Sequence, residues 1–336
     1  MSSSPFVLVG LVQNETLKVL RRKRLRIVLL VLGLILTLVV FAQARQRSNE
    51  RKDNPTRDWK ASVEKRASEL ERRMQGRRVP EGWARWMKFE AARLRYHLEK
   101  NIDPDQISGP MFARGFAGIG SVLLIPLLIA VIGSDLVSSE FSEGTVTLLL
   151  TRPVARWKVL LSKYVTGLLF STITLLAAFL LAWLISGTSF GFRGWGAPVL
   201  TGFKFGAAGF DAAGVRVVAL WQDTLAAYGL AWISALAVSS ITLLLSVLFR
   251  STAAAMGTMM ATLIGGTILS RVASDWEGAK WFFVTNLPLP DFYAGMPTPF
   301  AGMTLAFSVQ VLAAWSVAAV AAAFIVFSRR DVTSAA

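Results

Sequence analysis

The sequence predicts an all-α membrane protein: six transmembrane helices, an N-terminal interfacial helix, and an extracytoplasmic helical hairpin between spans 1 and 2. Three observations carry that expectation. Hydrophobic residues fill 54% of the 336 positions and charged residues only 17%, where an ordinary soluble domain has about a quarter charged. Six stretches contain no charged residue: 27–44, 115–134, 164–192, 224–249, 251–270 and 292–328. Each can hold the roughly 17 to 25 apolar residues with which a helix crosses a bilayer. Between the first two stretches, apolar residues recur at helical spacing.

The bulk counts exclude much chemistry. With no cysteine there are no disulfides, thiolate metal sites or thiol nucleophiles. The single histidine, His97, lies in a charged segment, which excludes a multi-histidine metal site; no metal is expected. A net charge of +15 would suggest nucleic acid in a soluble chain. In a membrane chain it reflects anionic lipid and topology instead, and no nucleic acid is expected.

The elements follow in order. Residues 1–26 form a cytoplasmic lead-in, in which Phe6, Val9, Val12 and Leu20 alternate with polar residues as in a helix lying at an interface. Arg21, Arg22, Lys23, Arg24 and Arg26 then abut the first span, residues 27–44. Such a cluster at the membrane interface favours the cytoplasmic side, and six spans place both termini there. No cleavage site closes the first span, so it is expected to remain in the membrane.

Residues 45–110 are the one long polar segment, with 17 basic and 11 acidic residues. Trp59, Val63, Ala67, Leu70 and Met74 form one helical seam, and Trp83, Met87, Ala91, Leu94 and Leu98 a second. Residues 54–55 and Gly76 bracket the first helix, and Pro80 precedes the second. The pair reads as a hairpin standing on the outer surface. Long translocated segments escape the positive-inside rule, so its basic residues do not reverse the orientation.

Residues 111–330 hold spans 2 to 6, and 331–336 a cytoplasmic tail. Residues 187–223 are glycine-rich and read as an outer loop with little regular helix. Residues 271–301 combine Trp276, Trp281, Phe282 and Phe283 with four prolines, which suggests an interfacial or re-entrant element. Span 6 begins near Gly302. In span 5, Ala253, Gly257, Ala261 and Gly265 fall every four residues, a stripe that lets helices approach closely in lipid. Dimer packing and a contact within the chain explain it equally well.

Catalytic motifs are absent, including a phosphate-binding G-x-x-x-x-G-K-[ST] loop. The six charge-free cores also lack the buried acids or histidines on which ion-coupled carriers depend. The most specific stretch lies between spans 2 and 3, at 134–163. Its order is a charged helical end, a break at Gly144, a short apolar helix over 145–151, a break at Pro153 and a basic re-entry into lipid.

That stretch closely resembles the pattern of type-2 ATP-binding-cassette (ABC-2 type) exporter permeases. Asp135, Glu140, Gly144, Thr145, Leu148, Leu149, Pro153, Arg156 and Lys163 occupy its positions, with Arg152 beside the proline. The lead-in helix with Glu15, Lys18 and Arg21 also looks like this family. The resemblance implies a permease subunit without its own ATPase site. Two copies of a nucleotide-binding subunit, carrying ATP and Mg, and a second permease chain, identical or homologous, would complete an exporter in the cytoplasmic membrane of a prokaryote. The segment 135–158, around the short helix, would couple ATPase closure to spans 2 and 3. Glu140 would steady that joint or meet a basic residue on the ATPase. A reading from another class is a non-transporting sensor or scaffold that uses the hairpin to bind a ligand or partner.

Overall fold

The computed structural model describes residues 5–53, 58–76, 81–145, 154–206, 209–212, 214–272, 276–300 and 302–329. Six of its helical segments are long and apolar enough to cross a membrane: Arg24–Glu50, Leu124–Ser142, Arg156–Phe190, Leu220–Leu248, Thr252–Ser270 and Leu305–Arg329. The chain is a multi-pass, mostly helical membrane protein.

Helix α1 (Pro5–Arg21) precedes α2 (Arg24–Asp53), which runs unbroken through the first span and nine residues past Ala44. The hairpin therefore starts later than residue 45. Span 2 is compound. Its apolar stretch comprises α6 (Leu124–Gly133) and α7 (Asp135–Ser142), starting nine residues later than the expected 115–134, and α5 (Gly109–Val122) leads into it, the three separated only by Leu123 and Ser134. Pro126 explains the first break, since it has no N–H for the Val122 carbonyl and its ring crowds that oxygen. Span 3 is α8 (Arg156–Phe190), span 4 α9 (Leu220–Leu248) and span 5 α10 (Thr252–Val272). Span 6 is α12 (Leu305–Arg329), starting just past the expected Gly302.

Helix α9 is the hub, packing on α5, α8 and α12. Its buried Ala227, Ala231, Ser234, Ala235 and Ala237 are small, which lets neighbouring backbones come close. Phe116, Ile129, Phe170, Phe283 and Leu312 fill the spaces between spans. Span hydroxyls mostly bond back to their own helix, as Thr174 does to Phe170 O at 2.8 Å and Thr242 to Val238 O at 2.7 Å.

Helices α3 (Trp59–Gly76) and α4 (Glu81–Lys100) pack through Val63, Ala67 and Leu94, with Trp59, Leu70 and Leu98 at the margins. Arg95 clamps Glu71 across the pair with two hydrogen bonds, of 2.7 and 2.8 Å. Trp83 departs from the expected seam: it is exposed and packs edge-on against Trp86.

The hairpin is not free-standing. The glycine-rich segment, expected as a loop with little regular helix, forms two antiparallel ladders: β1 (Pro198–Thr201) with β4 (Arg216–Ala219), and β2 (Lys204–Gly206) with β3 (Gly209–Asp211). Phe89 of α4 is buried against Leu200 and Phe203 beside these strands, with Tyr96 and Phe210 around it. The all-α expectation thus holds for the spans but not for this segment.

Between α10 and α12 the chain makes two short turns, Glu277–Trp281 and Phe283–Asn286, and then α11 (Leu289–Ala294). The Asn286 amide donates to Lys280 O and Phe282 O, both at 2.8 Å, and Ser234 of α9 donates to Leu287 O at 2.8 Å. The second turn is buried against the bundle, whereas Trp281 of the first is exposed.

On α10 the small-residue stripe faces outward. Ala253, Gly257, Ala261 and Gly265 are exposed while Ala255, Met259 and Leu263 are buried. A Cβ added at Gly257 or Gly265 would meet nothing within 4 Å. A contact within the described chain therefore does not explain the stripe.

Candidate functional site: a buried charge joint

The lead-in helix turns Glu15 and Lys18 inward while Gln13 and Asn14 stay exposed. Glu15 is buried, whereas Val9, Leu17 and Leu20 are exposed. Burial alone would raise the Glu15 carboxyl. Lys163 and Lys18 outweigh that and hold it below its ordinary value.

Lys163, seven residues into α8, is fully buried and uses all three ammonium donors. It reaches Glu15 Oε2 at 2.8 Å, Glu140 Oε1 at 2.7 Å and the Leu136 carbonyl at 2.9 Å. Lys18 also joins the two glutamates, at 2.7 Å to Glu15 and 3.0 Å to Glu140. Two carboxylates and two ammonium groups cancel. That balance is what permits such burial, because an unpaired ion there would cost several kcal/mol, about 3–5 on removal of a partner.

A second balanced set lies alongside. Arg22 pairs with Asp135 and, at 3.2 Å, with Glu143; Arg24 reaches Asp135 Oδ1 at 3.2 Å. Asp135 opens α7 and Glu143 follows its end, so the break between α1 and α2 is pinned to both ends of α7. Of the five basic residues expected at the membrane interface, Arg22 and Arg24 turn inward on these carboxylates. Arg21, Lys23 and Arg26 remain exposed.

Spans 4 and 5 close the joint. Ser246 of α9 fills the break at Ser134, accepting from the N–H groups of Val137 and Ser138 at 3.0 Å each and donating to Ser134 O at 2.8 Å. Thr252, the first residue of α10, donates to Asp135 Oδ1 at 3.3 Å and bonds Ser138 at 3.0 Å. Six helices therefore meet at one polar core. Its cavity holds only about 20 Å³, room for a water but not for a ligand.

The expected coupling residues divide four ways. Asp135, Glu140 and Lys163 come together in the joint. Gly144 has φ +69°, the left-handed conformation that favours glycine, and Thr145 donates to Glu140 O at 3.5 Å. Arg156 lies apart, bonding Ser328 O of α12 at 3.2 Å. Leu148, Leu149, Arg152 and Pro153 lie outside the described residues. Of the two roles expected for Glu140, the geometry fits steadying the joint: its carboxylate is buried on its own chain's lysines.

Sequence reasoning missed Arg22, Arg24, Ser246 and Thr252 as members. The only signal was the opposite charge of Asp135 and the 21–26 cluster. It also missed a second buried pair, Arg114 of α5 with Asp223 of α9. The middles of the spans are indeed free of charge, but Lys163 and Asp223 bury completely near span ends.

Comparison with known proteins gives a family and two relatives. A family described as "Protein of unknown function (DUF2705)" matches residues 87–333. The uncharacterized protein YhcI of Bacillus subtilis (strain 168) is 26% identical over 97% of this chain and 100% of its own length. The uncharacterized membrane protein YdbK of the same organism is 30% identical over 62% of this chain and 78% of its own.

Proposed function

We propose that this chain, which belongs to the DUF2705 family, is the membrane-spanning permease subunit of an ATP-binding-cassette exporter. The observation that carries the reading is the charge joint. It fastens α1, the α1–α2 turn, α7 and the start of α8 into one block, and the chain leaves that block at Gly144 into residues 145–153. A push delivered to those residues by an ATPase would reach spans 2, 3, 4 and 5 through hydrogen bonds and ion pairs rather than through a flexible loop.

In this reading both termini and the joint face the cytoplasm, and α1 lies at the membrane surface with Val9, Leu17 and Leu20 toward lipid. The α3–α4 hairpin and the two ladders lie outside, in the cytoplasmic membrane of a prokaryote. Two nucleotide-binding subunits supply ATP and Mg. A second permease chain packs on the bare α10 stripe, where small residues allow a close helix crossing.

The test is copurification of this chain from its native host with any nucleotide-binding subunit, followed by reconstitution. The pair should hydrolyse ATP and this chain alone should not exceed background. Robust hydrolysis by this chain free of other ATPases, or failure of any nucleotide-binding subunit to associate, would overturn the assignment and favour the sensor reading.

A further inference from the structure

At the other end of the bundle lies a second cluster that the proposed coupling does not use. Arg114 of α5 pairs with Asp223 near the start of α9. Asp223 is fully buried, and its Oδ1 has no hydrogen-bond partner among the described residues. Asp291 of α11 faces the same helix one turn on, since a Cβ added at Gly118 would collide with its carboxylate. No hydrogen bond or ion pair to the Asp291 carboxyl forms among the described residues. One cation thus lies near two acids, Asp223 fully buried and Asp291 partly so.

We propose that Arg114, Asp223 and Asp291 form a proton-binding site, in which Asp291 carries the exchangeable proton and its loss releases α11 from α5. With Asp291 neutral, the Arg114–Asp223 pair is balanced and α11 stays seated. When the carboxyl O–H bond breaks and the proton passes to solvent water, the cluster carries a net charge of −1 in a poorly solvated place. Moving α11 outward hydrates that charge. Burial, only partly offset by Arg114, raises the Asp291 carboxyl above its ordinary value, which agrees with a proton held there.

Helix α11 is placed to transmit such a movement. Its cap Gly295, at φ +87°, lies against the Phe203 backbone, where an added Cβ would sit 2.6 Å from Phe203 N. Phe203 in turn belongs to the aromatic cluster that seats the hairpin. The other groups facing α11 are few. Helix α9 adds Tyr228, whose hydroxyl donates to Ala113 O at 2.9 Å. Strand β1 carries no charged residue, and Arg329 of α12 lies at that helix's far end. His97 is the remaining candidate for titration, with its ring 6.2 Å from that of Phe203.

Neither transport nor orientation enters this proton exchange, so the purified full chain in detergent suffices to test it. The chain has no cysteine, so Leu289→Cys, buried on α11, reports its release by maleimide labelling. Rates are normalised to an exposed reference, Ser142→Cys, to remove the thiol's own pH dependence. The normalised rate should rise several-fold from pH 5.5 to 8, stay flat when Asp291→Asn is added, and rise again with Asp291→Glu. His97→Asn should leave the rise intact. Infrared difference spectra over the same range should show a protonated-carboxyl band that Asp291→Asn removes. A flat parent profile, a rise that survives Asp291→Asn, or a carboxyl band unchanged by that substitution would overturn the proposal.

Discussion

Replacing Lys163 with methionine tests the charge joint most directly. Methionine keeps much of the length and apolar stem of lysine but removes the ammonium group. Glu15 and Glu140 would lose partners at 2.8 and 2.7 Å, and the Leu136 carbonyl a donor at 2.9 Å. Lys18, whose side chain is 39% exposed, would face two buried carboxylates alone. Leaving a buried charge uncompensated costs about 3–5 kcal/mol. At the low end of the sensitivity for larger domains, about 2 °C per kcal/mol, the melting temperature should fall by about 6–10 °C. The assay is thermal unfolding in detergent, monitored by size-exclusion of the heated sample. Adding Glu140→Gln to Lys163→Met leaves Glu15 with Lys18 as a neutral pair and should recover at least half the loss. The deficit of the single variant should shrink from pH 8 toward pH 5, because the stranded carboxylate can then take up a proton. A single variant within 2 °C of wild type, or a double variant less stable than the single, would refute the reasoning.

Four further outcomes follow from the same geometry. Asp135→Asn should cost less, about 1–2 kcal/mol, since its partners Arg22 and Arg24 are 30% and 40% exposed; a loss matching that of Lys163→Met in the same melting assay would contradict this. Gly144→Ala should cost about 1–2 kcal/mol through its positive φ alone, because nothing lies within 4 Å of an added Cβ, and Gly144→Asn should cost less in parallel melts. Burial lowers the His97 imidazole below its ordinary value of 6.5. The unfolded chain therefore binds the proton first, so stability should decline as pH falls from 6.5 through the lowered value, and His97→Asn should flatten that part of the stability–pH curve. For orientation, a cysteine at exposed Glu69 should react with a membrane-impermeant maleimide in intact cells while one at Ser142 should not; reversed labelling would invert the proposed topology.

The sequence by itself determined the spans. Charge-free runs of this length have no stable alternative in water, and in lipid a helix satisfies its own backbone, so hydropathy was enough to find six, though span 2 runs over Leu124–Ser142 rather than 115–134. The seams of α3 and α4 were legible apart from Trp83, as was the left-handed Gly144. What sequence could not reach was anything depending on which faces meet. Asp135, Glu140 and Lys163 read as parts of one motif and Glu15 as part of the lead-in helix, but nothing local says that α1 turns Glu15 and Lys18 inward onto them. Only the approach of α1, α7 and α8 makes their burial tolerable, because each charge is stabilised by a partner more than twenty residues away. The short ladders at 198–219 were hidden for a related reason. Glycine-rich strands carry little periodicity of their own, and their place is fixed by Phe89 and Tyr96 arriving from a distant helix. The outward stripe on α10 was visible as a pattern. Its bareness became a fact only once every neighbouring span had taken its place elsewhere.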